Sequence, residues 1–414
     1  MASISALAPL RAPLFRWYFA SRSINLVGNF MAPVALAFAV LAISHSPIAL
    51  GLVLAARTIP LLIFLLIGGV IADRWQRVRI LALTNLASGA SQAAAALLVL
   101  TGHASLWHLV ALSAVNGVAA AAGMPASNGL LPQVVPRTQL QEANALISLT
   151  RAIVAIVSPS VSATLVVAAS PGWALLLDAA TWLLAAALIV PVSLPASAPE
   201  GGHPSLLGEL ATGWHLFRST TWLWLGVAAS CLLNALYEGA FITLGPVRSV
   251  HTAIGEGGWG LTLSVQGAGV LLATLALMRW RVHRPLLAGM LGMALFGLPM
   301  VVLGARPELP LLLAAALLSG IGIQIYVMGW NLSLQEHIPG HLLSRASSYD
   351  QLGSFVAIPV GQLCLGPLAA EYGLGRVLFI SGIAYVAVSL LVLLSADVRE
   401  LSRSGAEPQP QAAA

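Results

Sequence analysis

The sequence predicts an all-α membrane protein with twelve transmembrane helices in two six-helix halves. Three observations predict this fold class. Only 8% of the 414 residues are charged and 58% are apolar, twelve apolar runs are long enough to cross a bilayer, and the longest polar interruption falls at the midpoint. A soluble domain carries about 25% charged residues. This chain has too few charges to cover a water-exposed surface, so we expect lipid to be its main solvent.

Twelve apolar runs satisfy the length that a transmembrane helix needs, roughly 20 residues for a hydrocarbon core of about 30 Å. The connections between them are short, which favours helical hairpins because backbone groups in lipid must be hydrogen-bonded within each helix. The runs lie at about 17–43, 48–71, 78–101, 104–128, 142–169, 172–193, 220–246, 257–279, 284–304, 309–334, 343–369 and 375–395.

These runs divide the chain into four parts. We expect an N-terminal six-helix half at 1–193, a cytoplasmic central loop at 194–218, a C-terminal six-helix half at 219–395 and a disordered cytoplasmic tail at 396–414. An internal repeat supports the division, since "LPQVVPRTQLQEANAL" and "LQEHIPGHLLSRASSY" join the fourth and fifth runs of their respective halves. Chance similarity is the alternative, but the equivalent positions favour parallel repeats related by an axis along the membrane normal.

Arginine placement predicts the orientation of the chain in the membrane. All nineteen residues in the lysine-plus-arginine count are arginine, and the absence of lysine excludes a P-loop lysine or a Schiff-base lysine. With a cytoplasmic N-terminus, thirteen arginines lie on the cytoplasmic side and only Arg248, Arg306 and Arg376 lie outside. This asymmetry follows the positive-inside rule and predicts that both termini are cytoplasmic.

Catalytic and metal-binding patterns are absent from the sequence. His337 and His341 have the spacing of metal ligands on a helix, but Pro339 and Gly340 lie between them and would disrupt that helix. No basic cluster is interleaved with aromatics in the way that nucleic-acid binding requires. We therefore expect no catalytic residues, no metal, no cofactor and no nucleic-acid partner, and we expect that the protein is not an enzyme.

The segment "GGVIADRWQRVRIL", which begins at Gly68, carries a charged motif after the second run. It resembles the G-x-x-x-D-R-x-G-R-R signature of the major facilitator superfamily, with Gln76 at the glycine position and Val78 interrupting the basic residues. The matching positions are Gly69, Asp73, Arg74, Arg77 and Arg79. The resemblance implies a transporter fold and a gating latch, in which the aspartate accepts charge-assisted hydrogen bonds at a neighbouring helix end.

A second stretch, from Leu131 to Leu188, narrows the resemblance. "LPQVVPRTQLQEANALISLTRAIVAIVSP" and "GWALLLDAATWLLAAAL" are similar to the branch of bacterial drug:proton antiporters, macrolide-efflux-like proteins and the enterobactin exporter. The resemblance implies a monomeric, proton-coupled exporter of amphipathic small molecules in a bacterial inner membrane, working by alternating access. Siderophore or secondary-metabolite export is an alternative of the same class. A non-transporting membrane receptor or a polytopic membrane enzyme is an alternative of a different class.

The sequence departs from this branch at three places. Ser158–Ala163 lacks the glycines of the antiporter signature, the fourth run has Asn116 before Gly117 and no arginine, and Asn29 stands near the position of an aspartate in the first run. The first departure concerns the inference of export, and the other two concern the usual proton relay. The scarcity of charges in the runs favours hydrophobic or weakly cationic cargo.

Polar residues within the apolar runs form the candidate site, because an ionisable group in a span is costly and commonly functional. Helical spacing places residues three and four apart on one face. The two polar stripes are Arg22, Asn25 and Asn29 in the first run and Asn234, Tyr237 and Glu238 in the seventh. We expect both stripes to line one cavity, with Glu238 as the candidate proton carrier. Interhelical hydrogen-bond clamps are the alternative.

Three further features lie within the runs. Arg57 and Asp350 are a candidate ion pair between the two halves. Asp178 is expected to hydrogen-bond between packed helices. Tyr326 and Trp330, four residues apart, predict either an aromatic cavity wall or a packing stripe.

Overall fold

The computed structural model describes residues 7–74, 76–192, 214, 216–280, 282–338 and 340–401. It describes the backbone and not the side chains of residues 65–74, 128, 137, 340, 341 and 343–345. The predicted central loop lies outside the described residues, except for 214 and 216–218. The predicted tail lies outside them from residue 402 onwards.

Twelve helices in the described chain are long and apolar enough to cross a membrane, which confirms the predicted fold class. Large apolar side chains such as Ile63, Leu149 and Val360 are more than half exposed, as expected of a surface that faces lipid. The helices are α1 Pro13–Ile43, α2 Pro47–Arg74, α3 Arg77–Leu100, α4 Leu106–Val134, α5 Leu140–Ala168, α6 Pro171–Ile189, α7 Thr221–Val250, α8 Gly255–Leu277, α9 Pro285–Ala305, α10 Leu309–His337, α11 Gly340–Phe355 with Ile358–Tyr372, and α12 Leu374–Leu391.

The helices form two units, of which unit 1 contains Met1–Gly201, Ile242–Ser264 and Gln362–Leu374. In unit 1, α2 packs on α4, α3 packs on α6, and α1 packs on both α5 and α6. A Cβ on Gly117 of α4 would overlap the carbonyl oxygen of Arg57 on α2. Helices in lipid associate through such small-residue contacts, because lipid tails are as apolar as the side chains they replace.

The small-residue stretch of α5 that stands at the antiporter signature packs on the beginning of α8, within unit 1. The hydroxyl oxygens of Ser160 and Ser264 lie 2.7 Å apart. A Cβ on Gly260 would overlap the Cβ of Ala163. Serine and alanine therefore still permit a close helix approach here, although the glycines of the signature are missing.

Unit 2 contains Gly202–Phe241, Val265–Gly361 and Gly375–Ala414. In it, α9 packs on α10, and α7 packs on the first segment of α11. Helices α9 and α10 approach closely where Gly292 lies against the backbone of Gly322. Both units thus have glycines at close helix contacts.

The residues after α12 continue in regular structure. A 3₁₀ turn at Val392–Leu394 leads to a short helix at Ala396–Arg399. Val398 of this helix is fully buried, and the helix packs on α7 and α9. The segment predicted as a tail therefore begins with an ordered helical turn.

Helix α7 is irregular in its middle. It consists of an α-helical segment Thr221–Leu236, a π-helical segment Tyr237–Leu244 and an α-helical segment Gly245–Val250. The boundary between the two units falls inside the π-helix, between Phe241 and Ile242. Hydrogen bonds in a π-helix span five residues instead of four, so side chains after Leu236 no longer follow the α-helical face.

Helix α9 is also interrupted, at Gly297. Pro299, two residues later, lacks a backbone N–H and is the second residue of the helical segment Leu298–Ala305. A Cβ on Gly297 would lie 2.9 Å from Cδ1 of Tyr385 on α12. The break therefore coincides with a close contact to a buried aromatic ring.

Candidate functional site

Unit 1 contains a partly open cavity of about 140 Å³ between α1, α2, α3, α4 and α6. Its lining combines polar and apolar side chains. The polar lining residues are Tyr18, Ser21, Arg22, Asn25, Asn29, Arg57, Thr84, Asn85, Ser88 and Ser127. The remaining lining residues are Leu61, Leu81, Ala119, Ala120, Gly123, Met124, Trp182 and Ile189.

The predicted stripe of α1 lies together on this cavity. The amide oxygen of Asn25 accepts hydrogen bonds from Nη1 of Arg22 at 3.5 Å and from Nδ2 of Asn29 at 2.9 Å. The Asn25 amide nitrogen donates to Oδ1 of Asn85 on α3 at 3.2 Å. The stripe therefore combines the two predicted arrangements, since its middle residue bonds to another helix while all three residues line the cavity.

Helix α3 contributes polar groups that were not expected from the sequence. Asn85, Ser88 and Gln92 are buried along one side of it, and Asn85 and Ser88 line the cavity. The signal that could have revealed them is their spacing of three and four residues, the same spacing that marked the stripe of α1.

Asp178 on α6 lies behind the cavity wall and is fully buried. Its carboxylate accepts hydrogen bonds from Nε2 of Gln92 and from Nε1 of Trp182, the latter at 3.0 Å. Gly28 of α1 packs directly against it. Arg57 interacts with the same carboxylate electrostatically. Asp178 therefore hydrogen-bonds between the packed helices α3 and α6, next to α1, which is the role expected of it from the sequence.

Unit 2 contains a separate hydrogen-bonded chain around Asp350 of α11. Its carboxylate accepts from Nε1 of Trp330 at 2.9 Å and from Oγ of Ser354 at 3.2 Å. Nδ2 of Asn234 on α7 donates to the Ser354 carbonyl oxygen at 3.0 Å. Arg57 and Asp350 belong to different units, and the ion pair between them stays a prediction.

The aromatic pair Tyr326 and Trp330 stacks with ring centroids 6.0 Å apart. The Tyr326 hydroxyl lies 2.7 Å from the Ser230 hydroxyl on α7, and the Trp330 ring meets Trp222 edge-on at 5.9 Å. Tyr326 and Trp330 therefore pack between α7 and α10, as expected if the pair is a packing stripe and not a cavity wall.

The two remaining residues of the α7 stripe lie at the start of the π-helix. Tyr237 donates from its hydroxyl to Oε1 of Gln266 on α8 at 3.3 Å, and its ring stacks on Phe296 at 4.3 Å. Tyr237 thus faces the interior of unit 2. Glu238 is half-buried, and its role in a cavity stays a prediction.

The gating motif is described only in part. Gly69, Asp73 and Arg74 form the last turns of α2, and their side chains lie outside the described residues. Arg77 begins α3 and donates from Nη1 to the carbonyl oxygen of Gly129 on α4. Arg79 is exposed. The Arg77 contact joins the start of α3 to the last turns of α4. The gating latch that involves Asp73 stays a prediction.

Metal-binding clusters do not occur in the described part of the chain, where no three His, Cys, Asp or Glu side chains come together. His337 bonds through Nδ1 to the Ser333 carbonyl oxygen at 3.1 Å. The side chain of His341 lies outside the described residues.

Comparison with known families matches residues 4–412 to the family described as transmembrane secretion effectors. The MFS-type transporter YfiS of Bacillus subtilis is 24% identical, over 95% of this chain and 97% of that protein. The enterobactin exporter EntS of Escherichia coli O1:K1 is 25% identical, over 92% of this chain and 91% of that protein.

Solved structures show the same fold at low sequence identity. The nucleoside transporter NupG superposes with a TM-score of 0.73 at 12% identity, covering 92% of this chain and 98% of that one. A bacterial homologue of the lysosomal transporter Spinster, in an inward-facing state, superposes with a TM-score of 0.68 at 13% identity, covering 95% of this chain and 99% of that one.

Proposed function

The chain belongs to the transmembrane secretion effector family of the major facilitator superfamily, and from this membership we propose that it is a proton-coupled exporter of amphipathic small molecules. Transport in a multi-pass inner-membrane setting is common to the family and its bacterial relatives. Export, proton coupling and the nature of the cargo are our proposal, as are a monomeric state and alternating access between two sides of the membrane.

The polar cavity of unit 1 is the observation that carries this proposal. Burying polar groups within lipid-spanning helices is costly unless they have partners or a function. The α1 stripe and Asn85 surround an open volume instead of closing it. The lining combines these polar groups with apolar side chains such as Leu61, Met124 and Trp182. Such a lining suits a molecule with a polar head and an apolar body.

Glu238 is our candidate for the proton-coupling group. It is half-buried in a membrane helix and lies in a π-helical segment. Ionisable residues within spans are expensive to maintain, and π-helical turns occur frequently at functional sites. Both facts favour a working role for Glu238, with Asp350 as the next candidate.

Siderophore or secondary-metabolite export is the second candidate function. The relative named as an enterobactin exporter, aligned over 92% of this chain, favours it. A membrane receptor or a polytopic membrane enzyme fits less well, because family and fold are those of transporters.

Transport in proteoliposomes tests the proposal. An imposed pH gradient should drive wild-type protein to accumulate amphipathic substrates from a panel, and collapsing the gradient should abolish accumulation. Glu238→Gln should lose uphill movement and keep downhill exchange, because glutamine preserves shape and hydrogen bonding but carries no exchangeable acidic proton. Glu308→Gln, an exposed acid before α10, is the matched control.

Two results would count against the proposal. Accumulation that is indifferent to the pH gradient would remove proton coupling. Accumulation at the wild-type level by Glu238→Gln would remove Glu238 and leave Asp350 to be tested in the same way.

A further inference from the structure

Arg22 carries a positive charge inside unit 1 that nothing among the described residues neutralises. It is half-buried in α1, and its hydrogen bond goes to the neutral amide of Asn25. Its electrostatic neighbours are the phenol of Tyr18 and the like charge of Arg151. Charges within membrane spans are normally paired with an opposite charge or with backbone carbonyls. Arg22 therefore has a charge that a bound anion could compensate.

The cavity beside Arg22 has a cationic lining. Arg22 and Arg57 both border it, and none of the described lining residues is acidic. The carboxylate that interacts with Arg57 is that of Asp178, which is held behind the wall by Gln92 and Trp182. No carboxylate is among the electrostatic neighbours of Arg22 in the described part of the chain, so Arg22 keeps positive charge at the cavity.

The amides around the cavity add hydrogen-bonding capacity. Asn25 and Asn29 on α1 and Asn85 on α3 all border it. Arginine donates five N–H groups in a planar fork that matches a carboxylate, and amide nitrogens donate as well. The donor set therefore fits an oxyanion better than it fits an ammonium group.

The cavity is partly open, so its volume describes the part of a ligand that the lining surrounds and not the whole ligand. A cavity of roughly 150 Å³ holds one benzene molecule, and this one measures about 140 Å³. Whole drug-sized ligands occupy pockets of roughly 300–1,000 Å³. The cavity therefore fits one ring-sized head group, with Trp182 and Met124 available to contact its apolar face.

We propose that this cavity is an anion subsite that takes the aromatic carboxylate head of an acidic amphipathic cargo, with Arg22 as its charge partner. This specifies the proposed function, since the cargo is then anionic and not weakly cationic as the scarcity of charges had favoured. Binding of the head group requires neither export nor a proton gradient. Its test is therefore separate from the transport test.

The test uses three probes of one shape and different charge: 4-butylbenzoate, 4-butylbenzamide and 4-butylbenzylammonium. Each is titrated by ligand-observed NMR against the full chain in phosphatidylcholine nanodiscs, with empty nanodiscs to subtract partitioning into lipid. The benzoate should bind at least about tenfold more tightly than the other two, the usual effect of a charge-assisted hydrogen bond. Equal binding of the three probes, or preference for the ammonium probe, would overturn the proposal.

Variants locate the preference on Arg22. Arg22→Gln should bring benzoate to within about twofold of the amide, Arg22→Lys should keep most of the preference, and Arg306→Gln should not change it. Arg306 is an exposed arginine between α9 and α10, so Arg306→Gln removes one positive charge away from the cavity. An unchanged preference in Arg22→Gln would refute the assignment. If Arg22→Gln does not fold, Asn85→Asp is the substitute test. It should weaken benzoate binding about tenfold, because it places a negative charge beside the negatively charged ligand. Unchanged benzoate binding in Asn85→Asp would equally refute the assignment.

An anionic lipid could offer a similar charged group. Adding phosphatidylglycerol to the nanodiscs should leave benzoate binding unchanged if the cavity serves cargo. Competitive displacement by phosphatidylglycerol would show that the cavity holds a lipid headgroup and would overturn the assignment to cargo. Benzoate preference without proton-driven accumulation would refute only the export proposal.

Discussion

Replacing Asp178 by alanine removes the acceptor for two buried donors in unit 1. These are Nε2 of Gln92 on α3 and Nε1 of Trp182 on α6, the latter 3.0 Å from the carboxylate. An orphaned buried donor costs about 1–3 kcal/mol in soluble proteins, whereas interhelical hydrogen bonds in membranes average about 0.6 kcal/mol with a maximum near 1.7. Because Asp178 is fully buried, we expect Asp178→Ala to lower the free energy of unfolding by about 2 kcal/mol.

Two companion variants separate the hydrogen bonds from the change in shape. Asp178→Asn keeps the volume and one acceptor oxygen, so it should cost about half as much, near 1 kcal/mol. Combining Asp178→Ala with Gln92→Leu removes the orphaned amide as well. The double variant should therefore be less destabilised than the sum of the single variants, by about 1 kcal/mol.

Unfolding by dodecyl sulfate in mixed micelles, followed by tryptophan fluorescence, measures these differences. Trp182, one of the eleven tryptophans, lies at the site and donates to the carboxylate being removed. A loss below about 0.5 kcal/mol in Asp178→Ala, together with additive single variants, would show that the carboxylate makes no net contribution. The geometry of the site would then be a poor guide to its energetics.

Three further outcomes follow from the structure and the sequence. Gly117→Ala should destabilise the protein by about 1–3 kcal/mol in the same unfolding assay, because its Cβ would overlap the α2 backbone. The control Gly257→Ala should not, because its Cβ meets nothing within 4 Å. Equal effects of the two substitutions would contradict the close packing of α4 on α2. Asp73→Asn should slow transport at unchanged expression and stability, and full transport would show that the latch is not used. A membrane-impermeant thiol reagent should label Gly257→Cys and spare Gly201→Cys in intact cells lacking the native cysteines, and the reverse labelling would invert the topology.

The twelve-helix fold follows from local sequence properties, which explains why it was predictable. Span length and the scarcity of charge are set by the bilayer and not by partners, so apolar runs mark helices directly. The run at 142–169 corresponds to Leu140–Ala168, for example. The π-helical segment Tyr237–Leu244 carries no comparable local signal, and Pro299 does not by itself specify the break at Gly297. Such irregularities depend on contacts with neighbouring helices, as between Gly297 and Tyr385.

The candidate site was predictable where one helix decides it. Spacing alone placed Arg22, Asn25 and Asn29 on one face of α1. Spacing could not identify the opposite helix, so Asn85 was missed although its own stripe has the same period. On α7 the change to π-helix at Tyr237 alters the periodicity on which the predicted stripe depended.

The uncompensated charge of Arg22 has a consequence for the energy source of transport. A bacterial membrane is negative inside, and a potential of 100 mV acts on one elementary charge with about 2.3 kcal/mol. An acidic cargo that leaves as a monovalent anion would gain this energy, which corresponds to about fiftyfold accumulation outside. A cationic cargo would have to overcome the same amount. The charge of the cargo that Arg22 selects therefore determines whether membrane voltage assists export or opposes it.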